Sequence, residues 1–205
     1  DHCRIISMDM GGDIPSVFQR FCALSNALKE SATKNGTDLM WNDKLGFMGT
    51  CPSNLGTGLR ASVMVKLPKF NEIMENEASS PEDKELLETV CSAFDLQPRG
   101  SAGEHSAAKG AKFDVSNKQR LGFSEVQLVQ KMIDGVSKVI DLEEKLAAGA
   151  TPADIRAILA EEANGAGAAA PAGCSALSFL PCAFPALCCS RARPSGRTRI
   201  VTLHS

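Results

Sequence analysis

The sequence predicts an α+β fold, an antiparallel sheet flanked by helices, and three observations carry that expectation. Residues 61–67 alternate strictly, with Ala61, Val63, Val65 and Leu67 to one side and Ser62, Met64 and Lys66 to the other. That is the pattern of a strand half covered by a core. Three segments place a hydroxyl residue three positions before an acidic or amide side chain: Ser80 with Asp83, Ser124 with Gln127, and Thr151 with Asp154. Each marks a helix start. Strands and helices do not alternate regularly, so parallel βαβ units are not expected.

Taken in chain order, residues 4–9 read as a strand. Residues 13–30 place Ile14, Val17, Phe18, Phe21, Leu24 and Leu28 at helical spacing behind Asp13 as N-cap, with Asn35-Gly36 as the stop. Further strands fit at 46–50, 61–67 and 112–116. Pro81 and Pro152 stand at the first position of their helices, where a missing N–H costs nothing. The helix opened by Ser124 is long, with Val126, Val129, Met132, Ile133, Val136, Ile140 and Leu146 as its apolar stripe and Gly149 just past its end. The acidic, Ser/Pro-containing run at 75–83 reads as an exposed loop.

Composition bounds the function. With 43% hydrophobic and 22% charged residues, the 205-residue chain is that of a globular domain. The net charge of -2 is unevenly spread, because residues 165–205 hold four arginines (Arg191, Arg193, Arg197, Arg199) and no acid, leaving 18 of the 22 bases against all 24 acids in residues 1–164. An acidic body without tyrosine and with one tryptophan argues against a nucleic-acid partner. The eight cysteines show no Cys-x-x-Cys spacing, so no metal site is expected and a reduced, cytoplasmic setting is. Any targeting segment would lie upstream of Asp1. Residues 165–205 pass from Ala/Gly repetition through an apolar stretch broken by Pro181 and Pro185 to an Arg-rich end. They are expected to be a disordered tail or a mistranslated extension beside a domain at 1–164. The apolar stretch is too short and interrupted for a membrane span, and lipidation of Cys188 or Cys189 is the remote alternative.

Four segments carry chemistry. They are Asp-His-Cys-Arg-Ile-Ile-Ser-Met at 1–8, Thr-Cys-Pro-Ser-Asn-Leu-Gly-Thr-Gly-Leu-Arg at 50–60, Arg-Gly-Ser-Ala-Gly-Glu-His at 99–105, and Phe-Asp-Val-Ser-Asn-Lys-Gln-Arg-Leu-Gly-Phe-Ser-Glu at 113–125. No Walker lysine motif is present, so a phosphate ligand would have to be held by arginine forks. In this order and spacing the four segments resemble the phosphagen (guanidino) kinases, over roughly residues 1–147 and within the C-terminal catalytic domain of that family, whose sheet is glutamine synthetase-like.

The resemblance implies reversible transfer of the γ-phosphoryl group between Mg-ATP and a small guanidino acceptor, for energy buffering. ATP or ADP would arrive with Mg2+ held mainly by the nucleotide phosphates. It puts Arg4, Arg60 and Arg99 at positions that bind ATP phosphates, and Gly100, Ser101, Ala102, Gly103 and Glu104 in the nucleotide site, leading into a mobile lid at 100–112. Asp114 matches a nucleotide-contacting position, with the capping of a turn by Ser116 and Asn117 left open. Arg120 is left open between site and structure. Cys51 matches the reactive cysteine, whose thiolate would lie beside the guanidinium as an electrostatic partner, its pKa lowered by Ser53 and nearby arginines. Glu104 would be a second carboxylate for the acceptor, and it favours arginine or another unmethylated guanidino compound over creatine. Cys-Pro-Ser, in contrast, is the wording of creatine kinases and their taurocyamine, lombricine and glycocyamine relatives. Met64 departs from the family, standing where a His commonly contacts the nucleotide.

The family has a glutamate directly before the Asp-His-x-Arg segment and further arginines upstream. The chain is therefore expected to be a fragment that turns over little substrate alone. A nucleotide-binding or interaction module without turnover is the alternative of another class, and a kinase for protein arginines ranks below both. The oligomeric state is not legible, and no membrane partner is expected.

Overall fold

The structure, a computed structural model, describes residues 3–100, 109–165 and 197–204. The order of elements is β1 (Cys3–Met10), α1 (Ile14–Lys34), β2 (Trp41–Asn42), β3 (Gly46–Phe47), β4 (Leu59–Lys66), α2 (Pro68–Glu75), α3 (Pro81–Lys84), α4 (Leu86–Ala93), β5 (Leu96–Gly100), β6 (Lys112–Asn117), α5 (Glu125–Ala147), α6 (Pro152–Gly165) and β7 (Arg197–His204). Five strands form one antiparallel sheet in the order β1-β7-β4-β6-β5, and β2 and β3 form a separate hairpin. This is the α+β architecture that the alternation at 61–67 implied. No described helix is long and apolar enough to cross a membrane.

The local signals act as their chemistry requires. Asp13 accepts from Ser16 N at 3.1 Å to open α1, and Ser124 and Gln127 close a full capping box on α5. Thr151 and Asp154 do the same for α6 through N–H and hydroxyl bonds of 2.8 and 2.7 Å. Ser80 caps only the single turn of α3, after which the chain restarts as α4.

The helices cover one face of the sheet. Ala61, Val63 and Val65 of β4 and Phe113 and Val115 of β6 are buried, together with Leu128, Val129, Met132, Val136 and Val139 of α5. Val17, Phe18 and Phe21 of α1 join the same core beside Ile5 of β1. Each such side chain larger than alanine contributes about 1.5–3 kcal/mol on burial. Two stripe members stand elsewhere: Leu24 is 54% exposed and Val126 48% exposed, because α1 and α5 turn those flanks to solvent. At α2 the helix start is capped from afar. Glu143 of α5 accepts from the backbone N–H groups of Lys69 at 2.6 Å and Phe70 at 3.1 Å.

Several expectations need correction. The strand expected at 46–50 is confined to Gly46–Phe47, paired with Trp41–Asn42. β5 was not among the expected strands; Pro98 lies within it, and β5 is an edge strand, where a missing N–H is tolerated. Within the stretch 165–205, Arg197–His204 are described as β7, between β1 and β4. The remainder, 166–196 and 205, lies outside the described residues.

Candidate functional site

The face of the sheet opposite the helices carries the polar residues that the motifs singled out. Opposed residues of an antiparallel ladder share a face, so Arg99 of β5, Asp114 of β6 and Met64 of β4 form one row. Ser62, Ser116 and Gln97 form the next. Arg60 stands two residues before Ser62 on β4, and its Nη2 donates to Asp114 Oδ2 at 2.8 Å. The guanidinium thus reaches past the serine row, whose two serines are small and 1% exposed. Both partners of the ion pair are mostly buried, with side chains 18% and 17% exposed.

Asp114 therefore orients Arg60 and does not cap the turn that was left open for it. Its neighbour Asn117 does the local structural work. The Asn117 side chain accepts from Ala61 N at 2.8 Å and donates to Leu59 O and Gln119 O at 3.1 and 2.6 Å. That ties the start of β4 to the end of β6. Arg60 Nε is buried without a hydrogen-bond partner. A buried donor left unmet costs free energy, and an anion arriving on this face would meet it. This fits the arginine forks that a triphosphate requires.

Arg99 donates to Gln97 Oε1 at 3.5 Å, a long contact that leaves its position on the sheet edge beside Asp114. Arg4 is exposed on β1, on the same face, separated from β4 by β7. Strand spacing puts it about 10 Å across the sheet from β4. Gly100 ends β5; Ser101, Ala102, Gly103 and Glu104 lie outside the described residues. Of the expected lid, 109–111 form a turn with Gly110 at φ 66° and Ala111 at φ 57°.

Cys51 occupies the other end of β4, in the loop before Leu59. Pro52 starts a tight turn in which Asn54 N donates to Cys51 O at 3.0 Å. The thiol is exposed and lies 3.0 Å from the Ser53 hydroxyl. That hydroxyl, then the Ser53 backbone N–H, holds the Cys51 thiol below its ordinary value, with Arg120 adding a smaller attraction. Burial pushes Cys91, by contrast, up to about 12.

Arg120 is a bracing residue for this loop. Its Nη1 donates to Ser53 O at 2.6 Å, while its own carbonyl accepts from Thr57 N at 3.1 Å. Gly56 is the point of closest approach. A Cβ there would stand 2.3 Å from Arg120 O, and Gly56 has φ +97°. The close approach at this glycine is thus made to the chain's own backbone. The β2–β3 hairpin supports the other side: Phe47 N donates to Gly56 O at 2.8 Å and Gly56 N to Leu45 O at 2.7 Å. Trp41 packs edge-on against Phe47 at 4.8 Å between ring centroids. Sequence reasoning missed this brace, and Gly46 with Gly56 was the available signal.

Comparison with known proteins agrees with the geometry. The profile of the family described as ATP:guanido phosphotransferase, C-terminal catalytic domain, matches residues 1–146. The testis creatine kinase of Oncorhynchus mykiss is 44% identical over 155 residues, covering 76% of this chain and 38% of its own length. The M-type creatine kinase of Gallus gallus is 47% identical over 146 residues, covering 71% and 35%. Among solved structures, a lombricine kinase superposes with a TM-score of 0.58 at 44% identity, covering 70% of this chain and 36% of that one. The duplicated taurocyamine kinase from Schistosoma mansoni, with bound transition state analog components, gives 0.54 at 36% identity, covering 65% and 17%. The chain thus spans 38% and 35% of the length of the two curated relatives.

Proposed function

Since the chain belongs to the phosphagen kinases, the ATP:guanido phosphotransferase family, we propose that it supplies the nucleotide-binding and reactive-cysteine parts of an ATP:guanidino phosphotransferase. In the forward direction the terminal P–O bond of ATP breaks and a P–N bond forms to a guanidinium nitrogen, which loses a proton; ADP leaves with the bridging oxygen. Mg2+, carried on the nucleotide phosphates, supplies charge neutralisation. The chain's own residues position and stabilise. The observation that carries this reading is the Arg60–Asp114 pair with its buried, unmet Nε, on a face shared with Arg4 and Arg99. Asp114 pre-orients the fork, so little reorganisation is needed when charge moves onto the phosphates. Cys51, as thiolate, would lie beside the guanidinium and favour its cationic form without a covalent role.

Within that class we assign an unmethylated guanidino acceptor, arginine or a relative such as taurocyamine or lombricine. Glu104 supports it, because a second carboxylate accepts from a planar guanidinium fork. The creatine kinases among the relatives weigh toward creatine, and the acceptor comparison decides between them. The experiment is a phosphotransfer assay with Mg-ATP and creatine, arginine, taurocyamine, lombricine or glycocyamine, beside a Mg-ADP titration of the native chain and its Arg60→Ala variant. Mg-ADP binding with transfer to one of these acceptors at a low rate, as expected of this chain alone, is the expected result. Mg-ADP binding that falls roughly tenfold or more in Arg60→Ala, without transfer to any acceptor, favours a nucleotide-binding module instead. Neither transfer nor binding overturns the reading.

A further inference from the structure

The ladder between β4 and β6 ends on two like charges. Its last rung opposes Lys66 to Lys112, and directly opposed residues share a face with their Cβ atoms about 5 Å apart. Parity with Met64 and Asp114 puts both lysines on the face opposite the helices, one row beyond Asp114 and Arg99. Both are exposed, and among the described residues neither is ion-paired with an acid. Asp114, the carboxylate of the adjoining row, already holds Arg60. Two ammonium groups so placed repel each other. The pair is nevertheless held in register: Leu67, buried next to Lys66, donates its N–H to Ala111 O at 2.9 Å. That bond ties the residue after Lys66 to the residue before Lys112. The turn it fixes is costly in itself, since Ala111 has φ 57° behind Gly110 at φ 66°, and left-handed backbone disfavours a residue with a Cβ. Repulsion and backbone strain thus meet at one point, and local costs of this kind gather where a ligand is received.

We infer that Lys66 and Lys112 form a two-ammonium clamp for a phosphate group, which extends the anion-binding face by one row, about 7 Å along the strands from Asp114. The inference rests on the reading of this face as a phosphate site and adds a second point of attachment to it. A phosphate oxyanion between the two ammonium groups replaces their repulsion with charge-assisted hydrogen bonds. Lysine suits the position, because a compact charge on a flexible stem follows a phosphate at the exposed end of the ladder, whereas the fixed fork of Arg60 is aimed by Asp114. In a body of 18 bases and 24 acids, the pair also draws a polyanion to this end of the face. The group held is either a phosphate of the nucleotide or a separate inorganic phosphate, and the two sources are told apart by titration.

The test uses the full 205-residue chain, titrated separately with Mg-ADP and with inorganic phosphate at several salt concentrations, beside thermal unfolding without ligand. Lys66→Ala and Lys112→Ala are each expected to weaken binding roughly threefold or more and to flatten its salt dependence, while the unfolding midpoint holds or rises as the repulsion is removed. Lys84→Ala, at an exposed lysine of α3 among the helices, should leave affinity unchanged. A loss with Mg-ADP assigns the clamp to the nucleotide; a loss with inorganic phosphate alone assigns it to a separate anion. Affinity that falls together with the unfolding midpoint marks a structural role and overturns the inference, as does an equal loss in Lys84→Ala. Loss of Mg-ADP binding in Arg60→Ala, with both probes unaffected in the two lysine variants, overturns the clamp and leaves the phosphate-site reading in place. No binding of either probe by the native chain overturns both.

Discussion

Replacing Gly56 with alanine is expected to be among the most damaging single-methyl changes in the molecule, and Gly149 supplies the control. Both glycines sit at positive φ, +97° and +102°. An L-residue in left-handed backbone costs about 1–2 kcal/mol. At Gly149 a new Cβ meets nothing within 4 Å, so that cost is the whole effect. At Gly56 the Cβ would lie 2.3 Å from Arg120 O and 2.6 Å from Leu121 Cα, both backbone atoms that cannot swing aside. Reaching ordinary contact requires the two loops to part by about 1 Å. That breaks or stretches Phe47 N to Gly56 O, Gly56 N to Leu45 O and Thr57 N to Arg120 O, now 2.8, 2.7 and 3.1 Å. At about 1 kcal/mol net for each bond, this adds roughly 3 kcal/mol. Gly56→Ala should therefore cost about 4–5 kcal/mol and Gly149→Ala about 1–2 kcal/mol. Urea unfolding of the two variants reads the difference directly. Equal losses, or a loss at Gly56 no larger than the backbone strain alone, would refute the claim that the Cys51 loop is clamped between the hairpin and Arg120.

Two more outcomes follow from the titrating groups. Iodoacetamide should label Cys51 ahead of Cys3 and Cys22 and leave Cys91 untouched, since Ser53 lowers the first thiol and burial holds the last up to about 12. Ser53→Ala should shift the pH midpoint of labelling upward, and peptide mapping that finds no shift removes the assigned cause. Burial raises the carboxyl of Glu143 above its ordinary value, against the pull of the Lys69 and Phe70 N–H groups. Its contribution to stability is thus complete below the unfolded value, about 4.3, and is lost as pH rises through the folded one. The stability of Glu143→Gln relative to the native chain should improve as pH rises from about 4 to about 7; a gap that stays constant or moves the other way counts against it.

What could be read from the sequence was what is local. Asp13 reaches Ser16 and Ser124 reaches Gln127 across three residues, so those helix starts are written in the residues that form them. The strand at β4 shows in its own alternation, and Ser53 stands two residues from the thiol it polarises. The rest depends on partners far along the chain. α2 is capped by Glu143, more than seventy positions away. Asp114 acquires its role only when β6 lies beside β4 and Arg60, 54 residues earlier, reaches it. Pro98 argues against a strand until β5 is known to be the edge. Leu24 and Val126 fit their helices' period yet lie beyond the width that the sheet covers.

The placement of these groups along β4 suggests why binding and reactivity are carried by different elements. The Cys51 loop enters β4 at Leu59, and the row of Asp114 and Arg99 crosses it at Met64. Four residues of strand, about 13 Å, separate the level of Arg60 from that row. Arg60 spans the interval by lying along the strand to reach Asp114, past the Ser62 and Ser116 row. Larger side chains in that row would lift the guanidinium off the sheet, so the buried serines are part of how the arginine is aimed. The thiol, by contrast, depends on nothing in the sheet rows. Its polarity comes from Ser53, and its position from Arg120, Gly56 and the Trp41–Phe47 hairpin. A perturbation of the hairpin should then alter Cys51 reactivity while leaving the Arg60–Asp114 pair intact, and a change at Asp114 should do the reverse. Two mechanically separate supports, meeting on one strand, let the loop move without disturbing the Arg60–Asp114 pair.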